Sequence, residues 1–154
     1  MGDGLDAVAI RSSFALCEGL SFPRGDAVVD TDMAYGPHER HRLDIYRPAH
    51  GEEARPLLLF VHGGGYASGD KAMGIFFATL GHWAATHGLA CATINYRLAP
   101  DHGWPCVQQD ISRAISWLGE NAAGYGFDAD RIKALCDAGA VFPGIREEAK
   151  DGVL

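Results

Sequence analysis

The stretch from Phe60 to Asp70 reads FVHGGGYASGD. Three glycines in a row, Gly63, Gly64 and Gly65, follow an apolar run. A turn without Cβ atoms can leave backbone N–H groups bare toward whatever sits above it. Bare amides of that kind stabilise an oxygen on which negative charge develops during acyl transfer. On its own the same cluster also suits a plain structural turn between a strand and a helix. Ser68 lies beside the glycines but follows no G-x-S-x-G pattern, so it is expected to be a helix N-cap. His38 to His41, "HERH", is one residue short of HExxH and falls on a turn, so it is expected to be solvated surface and not a metal pair.

The elements that must position this turn follow from periodicity. Residues 27–35 (AVVDTDMAY) and 41–48 (HRLDIYRP) alternate apolar and polar residues and predict a hairpin of half-buried strands closed by "GPHER". Residues 56–62 (PLLLFVH) are apolar almost throughout, as a strand covered on both faces of a parallel sheet must be. Lys71 to His87 predicts a helix, with Ile75, Leu80 and Trp83 among its apolar residues and Gly88 as the C-terminal cap. Residues 89–96 (LACATINY) predict another buried strand. From Pro105 to Asn121, Val107, Ile111, Ala114, Ile115 and Leu118 recur on one helical face. "GYGFDAD" predicts a turn and residues 131–136 (RIKALC) a last strand. Leu5 to Leu20 also has helical spacing. The order is a hairpin, then β-α-β-α-β, which implies a mostly parallel sheet with flanking helices.

Bulk properties narrow the function. A chain of 154 residues suggests one domain, and 47% hydrophobic residues can build a core. A net charge of −7 argues against nucleic-acid binding, whose footprint is a basic face. No apolar run approaches membrane-spanning length and no basic run suggests a membrane-surface patch. The acidic N-terminus has no signal-peptide core. Cys17, Cys91, Cys106 and Cys136 form no CxxC pair and suit buried, reduced thiols, so a cytoplasmic location is expected.

Taken in order, "MAYGPHERHRLDIYRP", "HGGGY", "INYRLAP" and "WPCVQQDISRAISWLGENAAGYGFDADRI" resemble the esterase/lipase branch of the α/β-hydrolases. The resemblance is to its hormone-sensitive-lipase-like and arylformamidase- or feruloyl-esterase-like members. It covers residues 27–132 and leaves 133–154 as a divergent tail, so the chain is expected to be a single incomplete, or truncated, α/β-hydrolase domain. The resemblance implies an oxyanion hole at Gly63, Gly64 and Gly65, with the amides of Gly64 and Gly65 favoured. It implies that His62 braces the turn, that Tyr66 lines a substrate pocket, and that Tyr96 and Arg97 support the neighbouring loop. Packing and a salt bridge would equally explain Tyr96 and Arg97. Asp110 is expected to anchor a helix or loop hydrogen bond, and Trp104 to pack in its loop. Small esters or amides are the implied substrates in full-length relatives. No metal or organic cofactor is implied.

The catalytic residues that such a turn serves are harder to place. Lining up "CDAGA" with the nucleophile elbow puts Asp137 at the nucleophile position and Leu135 where a glycine is wanted. No histidine follows Asp137; the last is His102. The tail, AGAVFPGIREEAKDGVL, has no room for the acid and histidine loops, as a frameshift or early stop would produce. Three readings stay open: an ester or amide hydrolase by lineage whose site is incomplete here, a non-catalytic fragment acting in binding or oligomerisation, and an aspartate-nucleophile hydrolase. The family's sheet order, 1-2-4-3-5 and onward, would leave the last strand here as an open edge, an invitation to self-association.

Overall fold

A computed structural model describes residues 26–51 and 54–136. The candidate helix at Leu5–Leu20, Cys17, Asp137 and the tail beyond it lie outside the described residues. Among the described residues, five strands and two helices follow in the order β1 (Ala27–Ala34), β2 (Arg42–Pro48), β3 (Arg55–Val61), α1 (Gly74–Thr86), β4 (Ala90–Ile94), α2 (Cys106–Tyr125) and β5 (Phe127–Cys136). They form one sheet of order β1-β2-β4-β3-β5. The order matches the expectation for the N-terminal part of an α/β-hydrolase sheet.

The sheet is mixed. β3 pairs in parallel with β4 and with β5, while β2 pairs antiparallel with both β1 and β4. β3 and β4 are apolar on both faces because each face carries a helix. On one face Leu57, Leu59, Val61, Ala92 and Ile94 pack with Val107, Ile111, Ala114 and Leu118 of α2. On the other, Tyr46 and Cys91 pack with Ala84 of α1, and the Phe60 and Phe77 rings meet at 4.9 Å. Each fully buried Leu or Ile of this kind contributes about 1.5–3 kcal/mol. α1 approaches β2 so closely that a Cβ on Gly81 would run into the Tyr46 ring.

Several local expectations need correction. The first helix begins at Gly74, not Lys71, because Asp70 and Asn95 draw residues 70–72 into a turn instead. Trp83, one of the apolar residues of this helix, is 45% exposed and stacks on His87 one turn later. Gly88 takes the left-handed conformation just past the C-cap, as a helix-ending glycine does. α2 runs on to Tyr125 and stops at left-handed Gly126. The turn expected in "GYGFDAD" shrinks to Gly126, and the residues after it form an irregular start of β5. Phe127 already pairs with Arg55, the register then shifts, and Asp128 accepts from the N–H of Asp130 at 2.9 Å. Trp104 does not pack in its loop but stands 77% exposed.

Candidate functional site

β3 delivers the chain to the glycine turn. His62 follows its last residue, is buried, and stacks on Tyr96 with ring centroids 4.3 Å apart. Its Nδ1 lies 2.7 Å from the Gly63 carbonyl oxygen, which can only accept, so Nδ1 carries the proton. The Tyr96 hydroxyl donates to the His62 carbonyl at 2.7 Å. Two successive carbonyls are thereby tied down on the strand side of the turn.

Beyond them the backbone enters left-handed space three times in succession, with φ of 118° at Gly64, 61° at Gly65 and 63° at Tyr66. The Gly64 carbonyl accepts from the N–H groups of Ala67 (3.2 Å) and Ser68 (3.1 Å) and from the Ser68 hydroxyl (3.1 Å). A Cβ on Gly64 would collide with the Ser68 carbonyl, whereas a Cβ on Gly65 would meet open space. Gly64 through Ser68 are exposed. Among the described residues, no acceptor is paired with the N–H groups of Gly64 and Gly65. Tyr66 is a non-glycine residue held where side chains are disfavoured, at a cost of about 1–2 kcal/mol. The Tyr66 carbonyl accepts from Ala99 at 2.8 Å, and its ring stands edge-on to Tyr96, 37% exposed. Ser68 is therefore not a helix cap; it closes the glycine turn, and α1 starts six residues later.

Behind the turn lies a buried ionic cluster. Asp110 of α2 is fully buried and accepts from the Arg97 backbone N–H at 2.9 Å and from the Arg97 guanidinium, with Nη2 at 2.6 Å. His41 Nε2 stands 3.0 Å from the same carboxylate. His41 is only 3% exposed, so of "HERH" only Glu39 is plain solvated surface. Its Nδ1 accepts from the His38 N–H at 3.2 Å, which leaves the proton on Nε2, toward Asp110. Burial lowers the His41 pKa, with Asp110 opposing. Burial by itself would raise the Asp110 pKa, but the hydrogen bonds from Arg97 hold it below the ordinary value.

The structure thus brings His62, Gly63, Gly64, Gly65, Tyr66, Tyr96 and Arg97 to one end of the sheet, beyond β3 and β4. Asp137 falls outside the described residues. Four residues contacting the turn or its flank escape sequence reasoning. Arg40 donates to the carbonyls of Tyr96 (2.7 Å) and Gly69 (2.9 Å). Asn95, Lys71 and Asp44 are buried and linked to one another. The available signal was Asp44 itself, a carboxylate flanked by apolar residues in "RLDIY". Among the described residues no helix is long and apolar enough to cross a membrane.

The chain matches the BD-FAE family model over residues 43–140. That match extends past Ile132 and across Asp137. The chain is 36% identical over 100 residues to the probable isoprenylcysteine alpha-carbonyl methylesterase ICMEL1 of Oryza sativa subsp. japonica, covering 65% of this chain and 23% of that protein. It is 36% identical over 109 residues to the esterase LipC of Mycobacterium tuberculosis, covering 70% and 27%. Among solved structures, esterase B from Lactobacillus rhamnosis superposes with a TM-score of 0.71 at 25% identity, covering 84% of this chain and 41% of that one. The chain spans about a quarter of the length of these curated relatives. The sheet order, the family match and these likenesses agree: the chain belongs to the BD-FAE family of esterases with the α/β-hydrolase fold.

Proposed function

We propose that this chain carries the oxyanion-binding part of a carboxylic ester or amide hydrolase. The observation that carries the reading is the exposed, left-handed turn at Gly64 and Gly65, set at the end of buried strand β3. In the proposed reaction, a nucleophile attacks the substrate carbonyl and the carbonyl oxygen gains negative charge. The two amides donate to that oxygen from fixed positions, so they bind the tetrahedral intermediate more tightly than the flat ester. His62 and Tyr96 hold the strand side of the turn, and the backbone strain at Tyr66 is the kind that accumulates at such sites. Tyr66 would wall the substrate pocket.

The 154 residues contain no G-x-S-x-G and no histidine after His102. The proposal is therefore that the chain alone lacks sustained turnover. Asp137 as nucleophile is the catalytic alternative, and binding or self-association through the β5 edge the non-catalytic one. Hydrolysis of p-nitrophenyl acetate by the chain and by Asp137→Ala separates them. No turnover in either supports an incomplete site. A burst in the wild type that vanishes in Asp137→Ala would overturn that and establish aspartate catalysis. Full turnover surviving in both would sink the incomplete-site, aspartate and non-catalytic readings alike.

A further inference from the structure

Between Gly63 and Met73 the chain runs along the surface, and Lys71 alone is buried. The one anchor this segment drops into the protein is thus a charge. Its Nζ lies 2.7 Å from Asp44 Oδ1 of β2 and 2.8 Å from Asp32 Oδ1 of β1. Its backbone N–H donates to Asn95 Oδ1 at 2.6 Å, and Asn95 Nδ2 donates to Asp70 Oδ2 at 2.7 Å. Asp44 Oδ1 also accepts from the N–H of Asp32, which sits in left-handed space with φ of 56° at the irregularity in β1. Arg40, from the turn that joins these strands, reaches the Gly69 carbonyl.

A buried ion pair is a poor way to gain stability, because desolvation cancels most of the attraction. A methionine in place of Lys71 and a leucine in place of Asp44 would fill the same space. What an ion pair adds is direction: the ammonium rests where two carboxylates meet, and an apolar chain could slide. We infer that Lys71 is a positioning residue for the glycine turn, locking its C-terminal foot to the β1–β2 hairpin through Asp44 and Asp32. Tyr96 locks the other foot through the His62 carbonyl. The exposed amides between them are then held at both ends by groups that tolerate little movement. Burial works against the ammonium, but the two carboxylates outweigh it and raise the Lys71 pKa, so it stays charged. The functional importance of this lock rests on the oxyanion reading; the lock itself does not.

The test is amide hydrogen exchange on the full chain, read by NMR. Ala67 and Ser68 report the turn through their bonds to Gly64, and Ala99 reports it through its bond to Tyr66. Leu59 and Ile94 report the core. In the paired variant Asp44→Leu/Lys71→Met, no charge is orphaned in the core. Asp32 is 74% exposed and regains water. We expect the core amides to stay within about threefold of wild type. Exchange at Ala67, Ser68 and Ala99 should rise at least tenfold, a 1.4 kcal/mol loss of local protection, and the Gly64 and Gly65 amide shifts should move. If the turn amides keep wild-type protection, or loosen only in step with the core, the inference is wrong. Asp32→Asn keeps a residue type that tolerates left-handed backbone while removing one carboxylate. It should give a smaller rise at the same three amides, and wild-type exchange there would also overturn the inference. Because exchange needs no turnover, a loosened turn upholds the lock whatever the ester assay returns, so the lock and the oxyanion reading fail separately.

Discussion

Replacing Asp110 with asparagine perturbs the buried ionic cluster with little change of shape. Every group around the carboxylate is a donor: the Arg97 backbone N–H, the Arg97 guanidinium and His41 Nε2. Whichever way the asparagine amide turns, its NH2 group faces donors. One hydrogen bond to a charged group is lost outright and another is weakened, each worth about 1.5–3 kcal/mol. Arg97 is 23% exposed and recovers part of this by turning to water. We predict a net loss of about 3 kcal/mol, or about 10 °C in Tm for a domain of this size. Urea unfolding followed by tryptophan fluorescence measures it, with core-packed Trp117 as reporter. The pH dependence makes the test stricter. The Asp110 pKa is lowered in the fold, so its contribution is complete above the unfolded carboxylate value, about pH 4, and fades as pH falls through the folded value. The gap between wild type and Asp110→Asn should therefore close in acid. His41, also lowered, binds its proton later in the folded state, so both proteins should lose stability as pH drops below about 6.5. A gap under about 1 kcal/mol at pH 7, or one that stays constant down to pH 3, would refute this account of the cluster.

Gly64→Ala should cost more than Gly65→Ala by thermal melting, because only the former adds a collision with the Ser68 carbonyl to the left-handed strain of about 1–2 kcal/mol. Tyr96→Phe should lose about 0.5–1.5 kcal/mol, since it removes the hydroxyl's bond to the His62 carbonyl. Cys91 should resist a thiol reagent in the native state and react in denaturant, because burial pushes its thiol up to about 12. Sedimentation should show self-association if the exposed edge of β5 is open in solution; a strict monomer at high concentration would count against that.

Much of the scaffold was legible in the sequence because its signals are local. The apolar run of β3, the glycine cluster and the 3.6-residue period of α2 each lie within about twenty residues. The misreadings came where tertiary bonds overrule local pattern. Lys71 and Asp70 look like the first turn of a helix, yet Asn95 takes the Lys71 N–H. Phe127 to Asp130 look like a turn, yet β3 already pairs with Phe127. His41 looks like a surface residue until Asp110, 69 positions later, packs against it. No spacing rule connects such partners. Trp104 shows the reverse case, an aromatic residue that the described chain leaves in water.

The placing of the two helices has a consequence for the glycine turn. After β3 the chain crosses one face of the sheet through α1 to reach β4; after β4 it crosses the opposite face through α2 to reach β5, on the far side of β3. Both connections begin at the same edge of the sheet, where the parallel strands β3 and β4 end, and the glycine turn opens the first of them. The loop that carries it therefore joins two elements each fixed by packing of its own, so its exposed side chains can be exchanged without moving the strands on either side.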